Sequence, residues 1–560
     1  MSSTLKTPLV LAGMMLSLIL ASLDQTIVAT AMPRIVQEFQ GLSHLSWVFT
    51  AYMLASAVTV PIYGKLTDLF GRRRLLIIAV LIFLGGSMLS GLAQNMTQLI
   101  FFRGIQGVGA GAIMVNAFAI VADLFPPAQR GKVQGLFGAV FGITSVAGPL
   151  LGGWLTDSFS WRWIFYVNIP IGLVALAVIF AGMPRHATAT HGNGERSIDY
   201  FGAVLLTATL VPLLLALVWG GSQYPWGSPE IITLLAVSAI ALLGFLWRET
   251  KARDPIVTLS LFKNRVFTIS VIATFLASLG MFGSILFIPV FAQGVAGFSA
   301  TNSGLIMMPM MLAIVAGSMF AGQVMSRTGK YKVLAVSGLG IATLGMALFS
   351  QVSESTSQFD LIIRMIVMGI GLGFTMPIFT VAVQNAFSHS RIGEVTAGIQ
   401  LFRTVGGTVG GAVLGGVMNA QLASNLIGIE NHPFIVAAEQ VSPGTPVVID
   451  GNTIQTFLSN DGQAQIRALI AQAPEAIREQ ISAAFDQFLE ILKTAFSQSI
   501  DYVFIIGATL MIVAFAASFF LPQLPLRKSH RPAAEELGVE LDATMGQSDK
   551  RHEPDILGKV

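Results

Sequence analysis

Long apolar stretches alternate with short polar or charged segments along almost the whole chain. Each stretch has about the 20 residues that an α-helix needs to cross a bilayer. The pattern predicts an all-α polytopic membrane protein with fourteen spans. The predicted spans are 8–30, 45–66, 75–93, 98–122, 132–156, 162–182, 199–220, 229–247, 266–291, 301–325, 332–351, 360–384, 394–421 and 499–521.

The composition supports this prediction. Of the 560 residues, 54% are hydrophobic and only 11% are charged, whereas soluble domains carry roughly 25% charged residues. The absence of cysteine excludes disulfides, Cys-ligated zinc and thiol catalysis. A net charge of +3 does not indicate a nucleic-acid partner.

The distribution of Lys and Arg predicts the orientation. The N-terminus, alternate loops and the C-terminal tail hold 24 of the 32 basic residues, and the opposite loops hold five. Positive loops stay in the cytoplasm, so both termini are predicted to be cytoplasmic in a multi-pass cell-membrane protein. The three basic residues left at membrane depth are Arg103, Arg364 and Arg403.

The two halves of the chain carry the same glycine pattern. Gly64 and Gly71 recur as Gly322 and Gly329, and Gly107, Gly109 and Gly111 recur as Gly369, Gly371 and Gly373. Repeated halves around a central path are typical of secondary transporters. The predicted parts are a six-helix bundle over 1–182, a linker with two extra spans over 183–265, five helices of a second bundle over 266–421, an extracytoplasmic insertion over 422–498, the last span over 499–521, and a disordered cytoplasmic tail over 522–560.

Residues 64–74 form a charged segment between the second and third spans. Gly64 and Gly71 permit close approach and a tight turn, and Asp68 can pair with the arginines at 72–74 or cap a neighbouring helix. A simple topology anchor is the alternative. The second copy has Ser326 where Asp68 stands, so its charge chemistry is weaker.

Asp24 is the strongest candidate for chemistry because it lies well inside the first span. An intramembrane carboxylate is costly unless it is paired or protonated, and it is usually functional. If the protein moves protons, Asp24 is the predicted carrier, since all seven histidines lie outside the spans. A static ion pair that fixes helix register is the alternative. Arg103 matches Asp24 in depth, while Arg403 stands beside glycines that indicate close helix contact, and the sequence does not choose between them.

Two further spans carry candidate residues. The fifth has the small-residue pairs Gly138/Gly142 and Gly148/Gly152, with Pro149 and Gly153 beside the second pair; such pairs let helices approach closely, and ordinary packing is the alternative. The tenth has Met307, Met308 and Met311, whose soft side chains suit a substrate cavity for varied apolar ligands, although filler against core or lipid is an equally simple interpretation.

The insertion at 422–498 is out of scale with the other loops. Residues 446–457 have hairpin character, with Asp450-Gly451 at the turn. From 474 onward the apolar spacing is helical, so one helix over 474–521 would project about 35 Å beyond the membrane. A floppy loop with a short surface helix is the alternative.

The motif search excludes several functions. No Walker-type phosphate-binding sequence occurs, and no nucleophile–base pair or metal-ligand cluster is recognisable. We therefore expect no enzyme activity, no metal and no cofactor other than protons as coupling ion.

In these residues the chain resembles the major facilitator superfamily, specifically its fourteen-span drug:proton antiporter branch (EmrB/QacA-like). The likeness covers residues 8–421 and the last span. The motifs that carry it are Leu23–Val28 with Ala31–Pro33, Gly64–Arg74, Arg103–Gly109, Gly148-Pro149 with Gly152-Gly153, and Trp161–Pro170.

The resemblance implies a major facilitator fold and export by rocker-switch alternating access, driven by proton entry. It implies that Asp24 couples protons and favours Arg403 as its partner. It assigns Asp68, Arg72 and Arg73 to a cytoplasmic lock, and Gly148 and Pro149 to the interface that makes the cycle an exchange. The insertion exceeds the usual loop of this branch and is similar in architecture to mycobacterial relatives that are implicated in lipid movement.

We therefore expect a proton-coupled exporter of lipophilic or amphipathic compounds, including several drugs, acting as a monomer in the bilayer. A lipid or glycolipid exporter that uses the protruding helix is the first alternative. A transporter-like receptor without transport is the second. The region 422–498 is a candidate contact for an envelope partner.

Overall fold

The computed structural model of the chain describes residues 3–39, 45–183, 199–221, 223–252, 254–294, 300–352, 356–441, 453–454, 457, 460–472 and 475–527. Most of these residues are helical, and the described part of the chain has one isolated bridge, between Gly220 and Tyr224. The helices are α1 Ser3–Phe39, α2 Leu45–Phe70, α3 Arg72–Gly91, α4 Met96–Leu124, α5 Pro127–Ser158, α6 Trp163–Tyr166, α7 Asn168–Gly182, α8 Tyr200–Trp219, α9 Pro229–Lys251, α10 Arg265–Gly294, α11 Ala300–Thr328, α12 Tyr331–Phe349, α13 Gln358–Ala386, α14 Ile392–Asn425, α15 Pro433–Val441, α16 Asn460–Ala471 and α17 Glu475–Ser518.

The all-helical prediction is confirmed, and each predicted span coincides with a helix. Thirteen spans in the described residues are long and apolar enough to cross a membrane; the sixth combines α6 and α7. The ninth predicted span lies in α10, which contains the shorter apolar stretch Arg265–Met281. Several helices begin where the sequence supplies a side-chain cap, since Asn95, Asp199, Ser228 and Ser357 each accept a bond from a first-turn amide.

Two bundles of like construction make up the membrane part. In the first bundle (α1–α7), α4 packs against α2 and α3, and α1 packs against α5 and α7. In the second bundle (α10–α14 with α17), α13 packs against α11 and α12, and α10 packs against α14 and α17. The extra helices α8 and α9 pack on each other, and α8 also contacts α2 and α14, so it lies along the seam between the bundles.

The glycine repeat has the same packing role in both bundles. A side chain at Gly107 or Gly111 would collide with the backbone of α2, and one at Gly109 would collide with α3. In the second bundle, Gly369 and Gly373 meet α11 in the same way, and Gly371 meets α12. The turns at Gly71 and Gly329 both have positive φ, 89° and 69°, a conformation that favours glycine.

The bundles meet chiefly where α5 crosses α11 and where α2 crosses α14. At the first crossing, Gly131 and Gly322 are so close that a side chain on either would strike the backbone of the other. This contact lies at the end of the bundles that carries the 64–74 segment, the α4–α5 loop and the start of α14. We call it the basic end; it is the end that the sequence predicts to be cytoplasmic.

The helix predicted over 474–521 is confirmed as one continuous element, α17. Its first half supports a small aromatic core in the insertion. Between ring centroids, Phe434 lies 4.9 Å from Phe485 and 5.2 Å from Phe488, and Phe457 lies 5.1 Å from Phe488. The insertion is thus packed on α17 where it is described. The predicted turn at Asp450-Gly451 lies outside the described residues.

The start of the C-terminal tail departs from the prediction of disorder. Residues 522–527, which we call the strap, run across the basic end on hydrogen bonds. The Tyr331 hydroxyl donates to the Pro522 carbonyl (2.6 Å) and accepts from the Leu524 amide (2.7 Å), and Asn385 bonds the strap further along. The Ala128 amide of the first bundle donates to the Arg527 carbonyl (3.2 Å). The charged and proline-containing composition of the tail predicted disorder, because composition does not reveal hydrogen bonds made by the backbone. Residues 528–560 lie outside the described residues.

We expect Tyr331→Phe to loosen the strap, because one deletion removes both hydroxyl bonds. Leaving two backbone groups without partners costs about 1–3 kcal/mol, so hydrogen exchange at the Leu524 amide should accelerate by roughly tenfold or more. Tyr200→Phe, at a side chain 72% exposed, is the matched control. Unchanged exchange at Leu524 in Tyr331→Phe would contradict the bonding described here.

Candidate functional site

Asp24 is enclosed in the first bundle and forms an ion pair with Arg103. Neither side chain exceeds 1% exposure, and Arg103 Nη1 contacts Asp24 Oδ2. The two residues come from α1 and α4, at the similar depth that the sequence indicated. The structure thus pairs Asp24 with Arg103 and not with Arg403, the partner favoured by resemblance. A role for Arg403 in proton coupling stays a prediction.

Neutral groups complete the surroundings of the Asp24 carboxylate. Its Oδ1 accepts from Gln106 Nε2 (2.8 Å) and from Asn168 Nδ2 (3.1 Å). Arg103 also donates to Gln106 Oε1 (2.7 Å) and stacks 4.3 Å from the centroid of the Tyr52 ring. Four helices, α1, α2, α4 and α7, therefore meet at one buried charge pair.

Sequence reasoning did not assign roles to Gln106, Asn168 or Tyr52. A signal existed for Gln106, which lies one turn after Arg103 and therefore on the same face of α4. Asn168 lies inside the Trp161–Pro170 motif, but only the fold brings the start of α7 against Asp24. Tyr52 carried no local signal, since an aromatic residue in an apolar span is ordinary.

A central cavity of about 220 Å³ lies between the bundles. Its walls come from α1, α2, α4 and α5 on one side and from α10, α13 and α14 on the other. Arg403 lines it and donates to Gln400 Oε1 (2.6 Å) and the Met376 carbonyl (3.4 Å). Gln25, the neighbour of Asp24, also lines the cavity, so the cavity wall and the buried carboxylate are on adjacent residues of α1.

The methionines predicted to line the cavity are not among its lining residues. Met307 and Met311 pack against the core of the second bundle, because α11 turns this face to its neighbours rather than to the cavity, and Met308 is likewise absent from the lining. The methionines that line this cavity are Met53, Met114, Met281 and Met376. Composition indicated a methionine-lined cavity, but the rotation of each helix decided which methionines reach it.

The charged segment 64–74 forms a chain of ion pairs at the basic end. Arg72 Nη1 contacts Asp68 Oδ1 at 2.6 Å, and Arg72 Nε contacts Asp123 Oδ2 at 2.9 Å. Asp123 ends α4 and was not singled out from sequence. Arg73 does not take part: it donates to the carbonyl of Phe180 in α7 (3.1 Å), because it points to the opposite side of α3.

Asp68 also joins the two bundles. Its carboxylate accepts from the backbone amides of Gly393 (3.2 Å) and Glu394 (3.1 Å) at the start of α14, where helix amides lack partners and favour an anion. Gly64 makes this approach possible, since a side chain there would collide with Ala397 of α14. Asp68 thus caps a neighbouring helix, α14, as the sequence predicts.

His389 extends the charge chain from the second bundle. Its Nε2 lies 3.4 Å from Asp123 Oδ1. Burial lowers the pKa of His389, and nearby Arg72 and Arg130 act in the same direction, whereas Asp123 opposes them. Because its pKa is lowered, the imidazole of His389 carries a positive charge less readily than an exposed histidine does. Arg72 supplies the permanent positive charge between Asp68 and Asp123.

The glycine motif of α5 has two distinct contact faces. Gly131, Gly135, Gly138 and Gly142 face α11 of the second bundle. Gly148 and Gly152 instead meet Thr26, Ile27 and Thr30 of α1, one turn from Asp24, and the Thr26 hydroxyl donates to the Thr144 carbonyl (3.0 Å). Helix α5 continues through Pro149, which is exposed, and Gly153 has open space beside it.

No cluster of side chains suited to a metal ion occurs within the described ranges of the chain.

Comparisons with known proteins agree with this architecture. The family model described as Major Facilitator Superfamily matches residues 14–411. The Multidrug transporter protein MdtP of Bacillus subtilis is 38% identical over 97% of this chain and 98% of its own, and the Multidrug resistance protein 3 of the same organism is 36% identical over 92% and 95%. Among solved structures, a double-tryptophan mutant of XylE superposes with a TM-score of 0.56 at 14% identity, covering 94% of this chain and 98% of its own.

We expect Arg103→Leu to destabilise the protein by about 3–5 kcal/mol, because it leaves the Asp24 carboxylate buried without its cation. Adding Asp24→Asn to that variant should recover much of the loss, since no stranded charge then remains. Chemical unfolding in detergent measures both free energies, with Arg162→Leu, a partly exposed arginine, as the control. If the double variant is no more stable than Arg103→Leu alone, the buried pair does not carry this energy.

Proposed function

Since the chain belongs to the Major Facilitator Superfamily and is a membrane transporter rather than an enzyme, we propose a specific transport activity for it. We propose that it is a proton-coupled exporter of lipophilic or amphipathic compounds. We propose that its substrates include several drugs, as the names of the two Bacillus relatives suggest. Export proceeds by rocker-switch alternating access, in which the two bundles turn about the central cavity.

The observation that carries the proton coupling is the enclosure of Asp24. It is a carboxylate inside a membrane helix, with one cation and two amides as partners. Such a group keeps its charge only while those partners remain, because an isolated carboxylate in an apolar interior is far more costly than its protonated form. Moving Arg103 away from Asp24 would therefore draw a proton onto the carboxylate.

Helix contacts offer a route from that proton to the bundle movement. Asp24 lies on α1 within a turn of the residues that pack against Gly148 and Gly152 of α5. The other glycine face of α5 contacts α11 in the second bundle. A shift of α1 on protonation would thus be passed through α5 to the crossing at which the bundles turn.

The charge chain at the basic end fits the role of a lock. Asp68 holds α14 of the second bundle while Arg72 and Asp123 hold Asp68 in place. In the present arrangement the bundles are in contact at this end. Breaking these contacts is the step that would open the cavity on the predicted cytoplasmic side.

The setting of the protein follows from the same proposal. It is a multi-pass protein of the cell membrane with both termini in the cytoplasm, where the basic end meets anionic lipid headgroups. It uses protons as its coupling ion and works as a monomer. The folded insertion on α17 offers a surface for an envelope partner on the outside.

Asp24→Asn should abolish proton-driven efflux and leave the protein folded, because the amide fills the same volume but cannot release and take up a proton. The measurement is substrate-triggered proton flux in proteoliposomes with an imposed pH gradient, using lipophilic cations, neutral drugs and lipids as substrates. Asp157→Asn, at an exposed carboxylate of α5, is the matched control. Normal pumping by Asp24→Asn would remove this residue from the mechanism.

Asp68→Lys should favour the state that is open at the basic end, because it places a cation against Arg72 and the positive start of α14. The chain has no cysteine, so a single Gln134→Cys at the buried contact with Gln384 can report opening through its maleimide labelling rate. We expect faster labelling with Asp68→Lys and no change with Asp157→Lys. An unchanged rate with Asp68→Lys would rule out the lock.

A further inference from the structure

Arg403 differs from the other arginines at membrane depth in the charge of its partners. Arg103 is paired with Asp24, and Arg364 with Asp360 at 2.6 Å. Arg403 bonds only the neutral Gln400 side chain and the Met376 carbonyl among the described residues. The guanidinium, which stays charged in proteins, therefore lies in the central cavity without a carboxylate.

The walls of the cavity do not supply the missing anion. The residues that line it include no Asp or Glu. Beside Arg403 the polar lining consists of neutral groups such as Gln25, Gln134 and Thr404. An uncompensated cation in a low-dielectric site attracts anions strongly and repels cations, so the electrostatics of the cavity favour a negative group.

A second, smaller cavity supports the same interpretation. It measures about 20 Å³, lies on the other side of Arg403 within the second bundle, and carries the hydroxyls of Thr274, Ser278 and Thr375. The Thr274 hydroxyl has no hydrogen-bond partner in the described part of the chain. A space of this size accepts one water-sized group. Such a group would accept a hydrogen bond from Arg403 on the side of the smaller cavity and leave the other N–H donors of the guanidinium for the main cavity.

The rest of the main cavity suits an apolar body. Phe118, Phe137 and Phe141 line it together with methionines, and these side chains adapt to varied ring systems. The cavity volume of about 220 Å³ is below the roughly 300–1,000 Å³ of common ligand pockets. A single ring system with one headgroup therefore fits this conformation better than a two-chain lipid does.

We infer that the central cavity selects amphipathic organic anions, in which a carboxylate or similar group accepts hydrogen bonds from Arg403 while the apolar body packs against the phenylalanines and methionines. This inference deepens the proposed function and rests on it, since it names the substrate class of the same cavity. It assigns Arg403 to substrate binding and leaves Arg103 as the cation that compensates Asp24.

The test compares three probes that share the naphthalene ring system and differ in charge. Naphthylacetate is the anion, naphthylethanol is neutral, and naphthylethylamine is the cation. Binding is measured by calorimetry on the full chain in nanodiscs of zwitterionic lipid. We expect wild type to prefer the anion over the neutral probe by about tenfold or more, the range of a charged hydrogen bond. Arg403→Gln should remove that preference without weakening the neutral probe, and Arg403→Lys should restore part of it.

Arg364→Gln is the matched control, because Arg364 lies at membrane depth but is already paired and does not line the cavity. It should keep the anion preference, and thermal unfolding checks that each variant is folded. Equal or tighter binding of the amine, or an anion affinity unchanged in Arg403→Gln, would overturn the inference. A competition experiment with phosphatidylglycerol in the nanodiscs gives a further outcome that would overturn the inference. If this lipid prevents naphthylacetate binding to wild type but not to Arg403→Gln, the group bound by Arg403 is a lipid headgroup.

The outcome for the proposed function is separate. Proton-coupled transport of any compound, without an anion preference, would retain the exporter and reject the role of Arg403. Selective anion binding without proton flux would retain the role of Arg403 and reject the exporter. Loss of proton flux in Arg403→Gln with unchanged anion binding would reassign Arg403 to proton coupling.

Discussion

The compensation of buried charge is the constraint on which the rest of this structure depends. Asp24 and Arg103 lie almost fully enclosed among apolar helices, where an unpaired charge would cost several kcal/mol. Their mutual contact, with amides from Gln106 and Asn168, requires that α1, α4 and α7 turn these side chains toward one another. The pair therefore constrains the packing of the first bundle as well as its chemistry.

Three arginines at the depth of the membrane meet the same constraint in three ways. Arg103 has a buried carboxylate, Arg364 has a partly exposed one near its helix start, and Arg403 has neutral partners beside a cavity. The first two are satisfied within the protein. The third is satisfied only partly, and it is the one that lines the central cavity.

Glycine lets the helices that carry these charges pack closely. Close helix crossings without side chains in the way let α5 lie against α1 on one face and against α11 on the other. The same helix thus contacts both the acidic residue and the opposite bundle. At the basic end, Gly64 lets α2 approach α14 so that Asp68 reaches free amides of that helix. Charge and close packing together connect the buried carboxylate to the seam between the bundles.

The sequence by itself determined the positions of the long apolar helices, their repeat in two halves, the continuous helix after 474 and the depth of Asp24, because each depends on local composition and periodicity. The strap at 522–527 was not predicted from the sequence, because its backbone hydrogen bonds do not depend on particular residue types. Only the tertiary structure decided that Asp24 pairs with Arg103 rather than Arg403, that Arg73 lies apart from the ion pairs of Arg72 with Asp68 and Asp123, and which methionines line the cavity. Residues 79 positions apart form that ion pair, and their meeting depends on the rotation of helices that only packing sets.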